Sequence, residues 1–429
     1  MENQKAANEY DVIIVGSGTC GATIARELIR HKKKVLILER GGNRPLSDSF
    51  FKTMSITDMV KLGDKLMTMR ALTTGGSTAL YLAVADLPPL DVFSSLGIDL
   101  TQELEEAKKE VPIARLPNEL ISPQTLRLHE GALQLGYEGE IKTMFIDPSK
   151  CTTGYSYDAK WKARTFVQEA IGNGATLINN AMVTKVLVEN NKAVGVEYKV
   201  KKKQVKVYGE KVILAAGAAA SPIILRDSGI KEVEKNGFYI DPNCGLFGTI
   251  PGLKAKNNFM GCWAMQLDDD IQIGDLNATK SFYRVMMLAS GKPERLFSFS
   301  KSIGIGVKVK DEPGGELLEN NRYHKQLTEQ DYSKLRKGED VAEEILKSAG
   351  AKNIFRSSYG ATNLGGTISI KKHLDDKLQT EFENLFVCDG SIIPGDVRIS
   401  PNLTLICLAK YLAKHLLSPQ LVAVTETEN

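Results

Sequence analysis

The sequence predicts an α/β protein: a Rossmann-type nucleotide-binding domain, split along the chain, beside a second domain on a mainly antiparallel sheet. Three observations carry this. A glycine-rich turn joins an apolar strand to a helix near the N-terminus. Apolar runs at 212–216 and 385–388 return the chain to the same sheet, the second followed by an apolar helix to about Leu417. Between them, from about 236 to 311, short alternating runs separated by Gly and Pro read as half-buried antiparallel strands.

The N-terminal unit is a dinucleotide fingerprint in its full context. Tyr10 to Val15 reads as a buried parallel strand, Ala22 to Arg30 as a helix, and Val35 to Leu38 as a second strand ending at Glu39 and Arg40. The turn between is Gly16-Ser17-Gly18-Thr19-Cys20-Gly21. Gly16 permits the tight turn, Gly18 lets backbone approach a pyrophosphate, and Gly21 lets the helix pack close to the sheet. The helix N-terminus offers N–H groups and positive potential to phosphates, and Glu39 is placed for ribose hydroxyls.

A second turn, Arg70-Ala71-Leu72-Thr73-Thr74-Gly75-Gly76-Ser77-Thr78, lies about thirty residues further on. With it the chain resembles the glucose–methanol–choline (GMC) oxidoreductases, which carry an Arg…Gly-Gly-Ser-Ser segment against the flavin. Lys211-Val-Ile-Leu-Ala-Ala-Gly217 followed by Ser221-Pro222 is similar to the family's "VILAAG…SP". Asn384-Leu-Phe-Val-Cys-Asp-Gly-Ser391 is similar to "NLYVADASVFP", and Ser400-Pro-Asn-Leu-Thr404 to "NPxxT". The segments come in the family's order and span almost the whole chain. At 429 residues the protein resembles a compact prokaryotic branch.

The resemblance implies one non-covalently bound FAD, since the family's histidyl linkage uses a His just after the Gly-Gly-Ser segment and 78–86 contains none. The implied cofactor set is Gly16, Ser17, Gly18, Thr19, Cys20, Gly21, Glu39, Arg40, Arg70, Gly75, Gly76, Ser77, Val183, Ala216, Gly217, Asp389, Gly390, Pro401, Asn402 and Leu403. Asp389 is expected at the ribityl chain and diphosphate. The helix from Asn402 is expected to point its positive end at the flavin pyrimidine. The expected domains are 8–235, with cap helices around 91–165, then a substrate domain at 236–350, the nucleotide domain again at 351–417, and a disordered tail at 418–429.

Composition excludes other classes. Fifty-five basic against 52 acidic residues leave a net charge of +3, too balanced for nucleic acid or an anionic membrane as main partner. The basic run 199–206 alternates Lys with Val and Gln, as on the solvated face of a hairpin. No 18-residue apolar run predicts a transmembrane helix. The polar, acidic start predicts no signal peptide, and six scattered cysteines without a CxxC pair fit reduced thiols in a cytoplasmic enzyme without a metal site.

The chemistry departs from the family. Its members move a hydride to flavin while a histidine, in a "HPxGT" or "HPLGG" segment, takes the hydroxyl proton; a pKa near 6.5 suits that task. Here the segment reads Gly360-Ala-Thr-Asn-Leu-Gly-Gly-Thr367, so the His falls on Thr362 and the Pro on Asn363. The family's second catalytic position falls on Ser400 or Asn402. Of five histidines, His324 is the one in a segment that could line a cleft; Tyr359 and Tyr323 are further acid–base candidates, each a poor base at an ordinary pKa near 10 without a cationic neighbour. Three functions follow: a flavin oxidoreductase acting on a small molecule at CH–OH or CH–CH groups, the same fold doing isomerising chemistry, or a flavin electron-transfer protein. The electron acceptor stays open between oxygen, a quinone and another protein, and an oligomer is compatible with the sequence.

Overall fold

Residues 9–418, apart from 64, 65, 231, 236, 396 and 398, are described by the structure, a computed structural model. All of the expected disordered tail except Ser418 lies outside the described residues. The nucleotide sheet runs Thr176–Asn179, Val35–Glu39, Tyr10–Val15 and Lys203–Leu214, all parallel, with Leu385–Val387 parallel on the far side of Lys203–Leu214. Ile13 pairs with Leu36 on one side and Val212 on the other, and Val212 in turn pairs with Leu385. Both faces of these strands are covered, which is why they are continuous apolar runs rather than alternating ones.

Lys203–Leu214 is one strand, not the two expected at 205–208 and 212–216. Its first half pairs antiparallel with Lys192–Val200 and its second half parallel with Tyr10–Val15, so the change of partner breaks no hydrogen-bond ladder. The basic run forms a hairpin tip, as expected: Lys201 and Lys202 turn the chain with φ of 48° and 67°.

The second sheet runs Lys352–Arg356, Pro242–Thr249, Ser302–Val309, Ile271–Asp275, Trp263–Asp268 and Glu140–Ile141, each pair antiparallel. Gly360–Ala361 also pairs with the start of Pro242–Thr249. The helix Glu329–Ser348 opens with a capping box between Thr328 and Asp331 and lays Leu335, Ala342, Ile345 and Leu346 against the sheet. Two segments depart from expectation. Phe297-Ser-Phe-Ser forms tight turns with Phe297 exposed, because backbone amides there bond carbonyls three residues back (Ser298 N to Arg295 O, 2.9 Å; Lys301 N to Ser298 O, 3.1 Å) rather than a neighbouring strand. Lys280–Ala289, inside the alternating stretch, is a helix started by the Thr279 side chain, which accepts from Phe282 N.

The C-terminal helix Asn402–Leu417 packs along the first helix, Thr19–Arg30, and against Thr101–Glu110. Its buried Lys410 reaches Glu27, Glu106 and Glu110 at 3.0–3.3 Å, and Lys414 reaches Glu103 and Glu106 at 2.7 and 2.8 Å. Arg26, also buried, pairs with Glu27 and Glu110 in the same cluster.

Candidate cofactor and active site

The two glycine-rich turns meet. A Cβ on Gly76 would lie 2.9 Å from Gly18 Cα, so only glycine allows this approach. Gly75 N donates to Ser17 Oγ at 3.1 Å, and Ser17 donates twice to Glu39 Oε2, through its hydroxyl at 2.6 Å and its amide at 3.0 Å. Gly41 N donates to Glu39 Oε1 at 2.6 Å. Burial raises the Glu39 pKa, and the bonds from Ser17 and Gly41 oppose that shift. Glu39 therefore fixes both turns to the end of its strand, and its carboxylate oxygens keep lone pairs for further donors.

The strand Leu385–Val387 delivers Asp389 to the same edge. Its Oδ2 accepts from Ser221 Oγ at 2.5 Å and Gly217 N at 2.9 Å, and its Oδ1 from Ser391 Oγ at 2.5 Å and Ser391 N at 2.9 Å. Burial raises its pKa against these bonds. Cys20, also buried, donates its Sγ to Leu405 O at 3.4 Å, and Thr19 Oγ1 donates to Asn402 Oδ1 at 3.0 Å. The first turns of two helices thus converge, and neither helix has a side-chain cap or an acid in that turn. Their free N–H groups make an anion-binding edge.

Two details mark a ligand's place. Gly18 lies between Gly16 and Gly21, whose added Cβ atoms would overlap backbone oxygens at 2.3 and 2.0 Å, yet a Cβ on Gly18 would meet nothing within 4 Å. Thr404 Oγ1, in the first turn of Asn402–Leu417, is buried without a hydrogen-bond partner among the described residues. Open space at Gly18, free amides and an unsatisfied hydroxyl fit a phosphate-bearing cofactor.

The sequence model described as GMC oxidoreductase matches residues 10–245, more than half the chain. The chain belongs to the GMC oxidoreductase family. An uncharacterised protein of Methanocaldococcus jannaschii is 26% identical over 95% of this chain and 100% of its own length. A long-chain-alcohol oxidase of Arabidopsis thaliana is 23% identical over 94% of this chain and 68% of its own length. Among solved structures, pyridoxine 4-oxidase from Mesorbium loti superposes with a TM-score of 0.74 at 15% identity, covering 95% of this chain and 99% of the other. As a GMC oxidoreductase the protein is an FAD-dependent oxidoreductase, and its fold is the FAD-binding domain with a substrate domain expected from sequence.

The remaining expected residues are carried by several elements. Val183 is buried in Met182–Glu189, two residues after Ala181, whose amide donates to Glu39 O at 2.9 Å. Arg70 pairs with Asp58 at 2.7 Å, and the Arg40 guanidinium lies near both. Ala215 O packs onto Gly16, carrying Ala216 and Gly217 to the turn. Gly390 opens the turn after Asp389, Pro401 precedes Asn402, and Leu403 is buried. Ser77 Oγ accepts from Ala71 N at 3.3 Å, closing the second turn.

In this GMC oxidoreductase Thr362 and Asn363 follow the short strand Gly360–Ala361. Asn243 Nδ2 donates to Thr362 Oγ1 at 2.7 Å, and Asn363 Nδ2 donates to Asp241 Oδ2 at 2.8 Å. Asp241 is buried, has φ of 45°, and lies 3.9 Å from Lys308 Nζ. Asp241 and Asn243 were not anticipated; an Asp-Pro step before a strand is their one local signal. Ser400 N donates to Asp86 Oδ2 at 3.0 Å, and Asp86 pairs with Lys142 at 3.1 Å.

Tyr359 packs under the Arg356 guanidinium, and burial and Glu339 push its pKa up to about 12. His324 lies in the two-stranded ribbon Glu316–Leu317 and Tyr323–His324, beside the buried Lys325–Asp311 pair. The other histidines serve structure: Trp263 Nε1 donates to His129 Nδ1 at 3.2 Å and Ser369 N to His373 Nδ1 at 3.0 Å, while His31 and His415 lie at helix ends.

Proposed function

We propose that the protein transfers hydride between a small organic substrate and FAD held non-covalently, and that its substrates carry an activated C–H bond or an accepting C=C or C=O bond. FAD supplies the two-electron chemistry. The chain supplies hydrogen bonds: Thr362, Asn363, Ser400 and Asn402 orient the substrate oxygen. None of these titrates near neutrality.

The observation that carries the reading is the pair of bonds fixing Thr362 to Asn243 and Asn363 to Asp241. A hydroxyl and an amide, each anchored, stand where the resemblance puts a histidine and a proline. Buried, unpaired cysteines accord with a reducing compartment, and we place the protein in the cytoplasm. Among the described residues no helix is long and apolar enough to cross a membrane.

The experiment is anaerobic titration of the yellow protein with alcohols and, after photoreduction, with enones and aldehydes. Loss or return of flavin absorbance with an activated substrate is expected. Flavin that neither bleaches nor reoxidises with any of them would overturn hydride transfer and favour the isomerising alternative.

A further inference from the structure

Charge is unevenly spread along the chain. The stretches 249–266 and 276–301 hold seven lysines and arginines and one acid, Glu294, a local charge of +6 in a chain whose total is +3. The near-balance of the whole chain, which argues against an anionic membrane as main partner, conceals this excess. Nearby lysines of the second sheet are paired, Lys334 with Asp270 and Lys337 with Asp268, but none of the seven forms a salt bridge among the described residues. Like charges left unpaired together repel, so their natural complement is an anion outside the fold.

The fold gathers these cations on one surface. Lys280 N donates to Asn257 Oδ1 at 2.9 Å and Ala255 N to Ser300 O at 2.8 Å, which brings the 254–256 segment against both ends of 280–301. The Tyr283 hydroxyl donates to Arg295 O at 3.0 Å and fastens the turns after the helix Lys280–Ala289 to that helix. Along it Lys280, Arg284 and Leu288 are four apart and form one ridge beside the buried Tyr283 and Met287.

Apolar groups stand among the cations. Phe297 is 86% exposed, with the Arg284 guanidinium 5.9 Å from its ring centroid, and Leu288 is 46% exposed. The helix Phe50–Ile56 packs against Lys280–Ala289, buries none of its own residues and leaves Phe51 80% exposed. One such side chain would be ordinary on a surface; several beside unpaired cations mark an interaction site.

We propose that this face docks on an anionic phospholipid bilayer, with Lys280, Arg284, Lys292 and Arg295 on headgroup phosphates and Phe297 at the acyl boundary. A nucleic acid would take the cations but offers Leu288 and Phe297 no hydrocarbon, and protein interfaces are depleted in lysine. An anionic bilayer takes both kinds of group. The inference goes beyond hydride transfer and stands without it, since none of these residues belongs to the cofactor or substrate set.

The test is co-flotation of the full-length, FAD-loaded protein with vesicles of phosphatidylcholine, alone or with about one third phosphatidylglycerol. At least tenfold tighter binding to the anionic vesicles is expected, weakening as salt rises from about 0.1 to about 0.5 M. Joint Lys280→Gln and Arg284→Gln substitution is expected to lower binding about 25-fold, about fivefold for each cation, with flavin content and melting temperature unchanged. Phe297→Ser should lower it about tenfold at either salt. Phe297→Trp adds an exposed indole to a protein whose Trp161 and Trp263 are buried, and its emission should shift to the blue on anionic vesicles. Equal binding to both vesicles, wild-type binding by the Gln or Ser variants, or no blue shift would overturn the docking face. Binding to poly-glutamate or duplex DNA as tight as to the anionic vesicles would overturn the bilayer as its occupant.

Discussion

Thr19 and Asn402, the first residues of two helices far apart in the chain, are joined by a 3.0 Å hydrogen bond from Thr19 Oγ1 to Asn402 Oδ1. The bond fixes the angle at which two uncapped N-termini converge. Thr19→Val removes the donor and leaves a part-buried acceptor unpaired, at a cost of about 1–3 kcal/mol. FAD affinity of the reconstituted apoprotein is expected to fall about tenfold with helix content unchanged; fluorescence titration with FAD measures it.

Gly18→Val separates folding from cofactor binding. The new side chain would start in space free of protein atoms, so the apoprotein should melt within a degree or two of wild type. It would occupy the approach to the helix amides, and the purified variant should be colourless. A colourless protein that also melts far earlier would mean that Gly18 is needed by the fold itself.

Thr362→His restores the residue type that the family pattern places there. Wild type should oxidise an unactivated alcohol such as 1-hexanol at least 10²-fold more slowly than an activated one, since a positioned base contributes about 10²–10⁴-fold. The variant should gain hexanol oxidation with a pH dependence near 6–7. Equal wild-type rates on both alcohols would remove the preference for activated bonds.

The charge cluster around Lys410 predicts an acid limit. Burial acts to raise Glu106 and Glu110, but hydrogen bonds and charge from Lys414, Lys410 and Arg26 outweigh it, and both pKa values end below the ordinary glutamate value. Lowered folded values mean stabilisation that is fully present above about pH 4.3 and lost as pH falls through the folded values. Lys410→Met should cost about 3 kcal/mol at pH 7, the lower end for a broken buried pair because its glutamates reach solvent. Thermal melts at pH 7 and pH 3 should show the gap between variant and wild type shrinking in acid.

The nucleotide half was legible because its signals are local: Gly16, Gly18 and Gly21 sit within one turn, and the strands beside them are continuous apolar runs. The partners of Thr362 and Asn363 were not, because Asn243 and Asp241 meet them only through the pairing of Pro242–Thr249 with Gly360–Ala361. The helix Lys280–Ala289 was hidden because it is a short interruption in a stretch of alternating strands.

The strand Lys203–Leu214 lies between the first strand of the chain and nearly the last, Leu385–Val387. During synthesis its outer edge faces solvent until residue 387 has left the ribosome, and Asp389 and the helix from Asn402 emerge later still. An apolar strand with an unfilled edge is a template for pairing with other chains. Nascent molecules are therefore most exposed to aggregation over the long interval in which the second sheet is being made. If FAD is held as proposed, by the 16–21 turn together with Asp389 and the helix from Asn402, its capture waits until those last segments have been made.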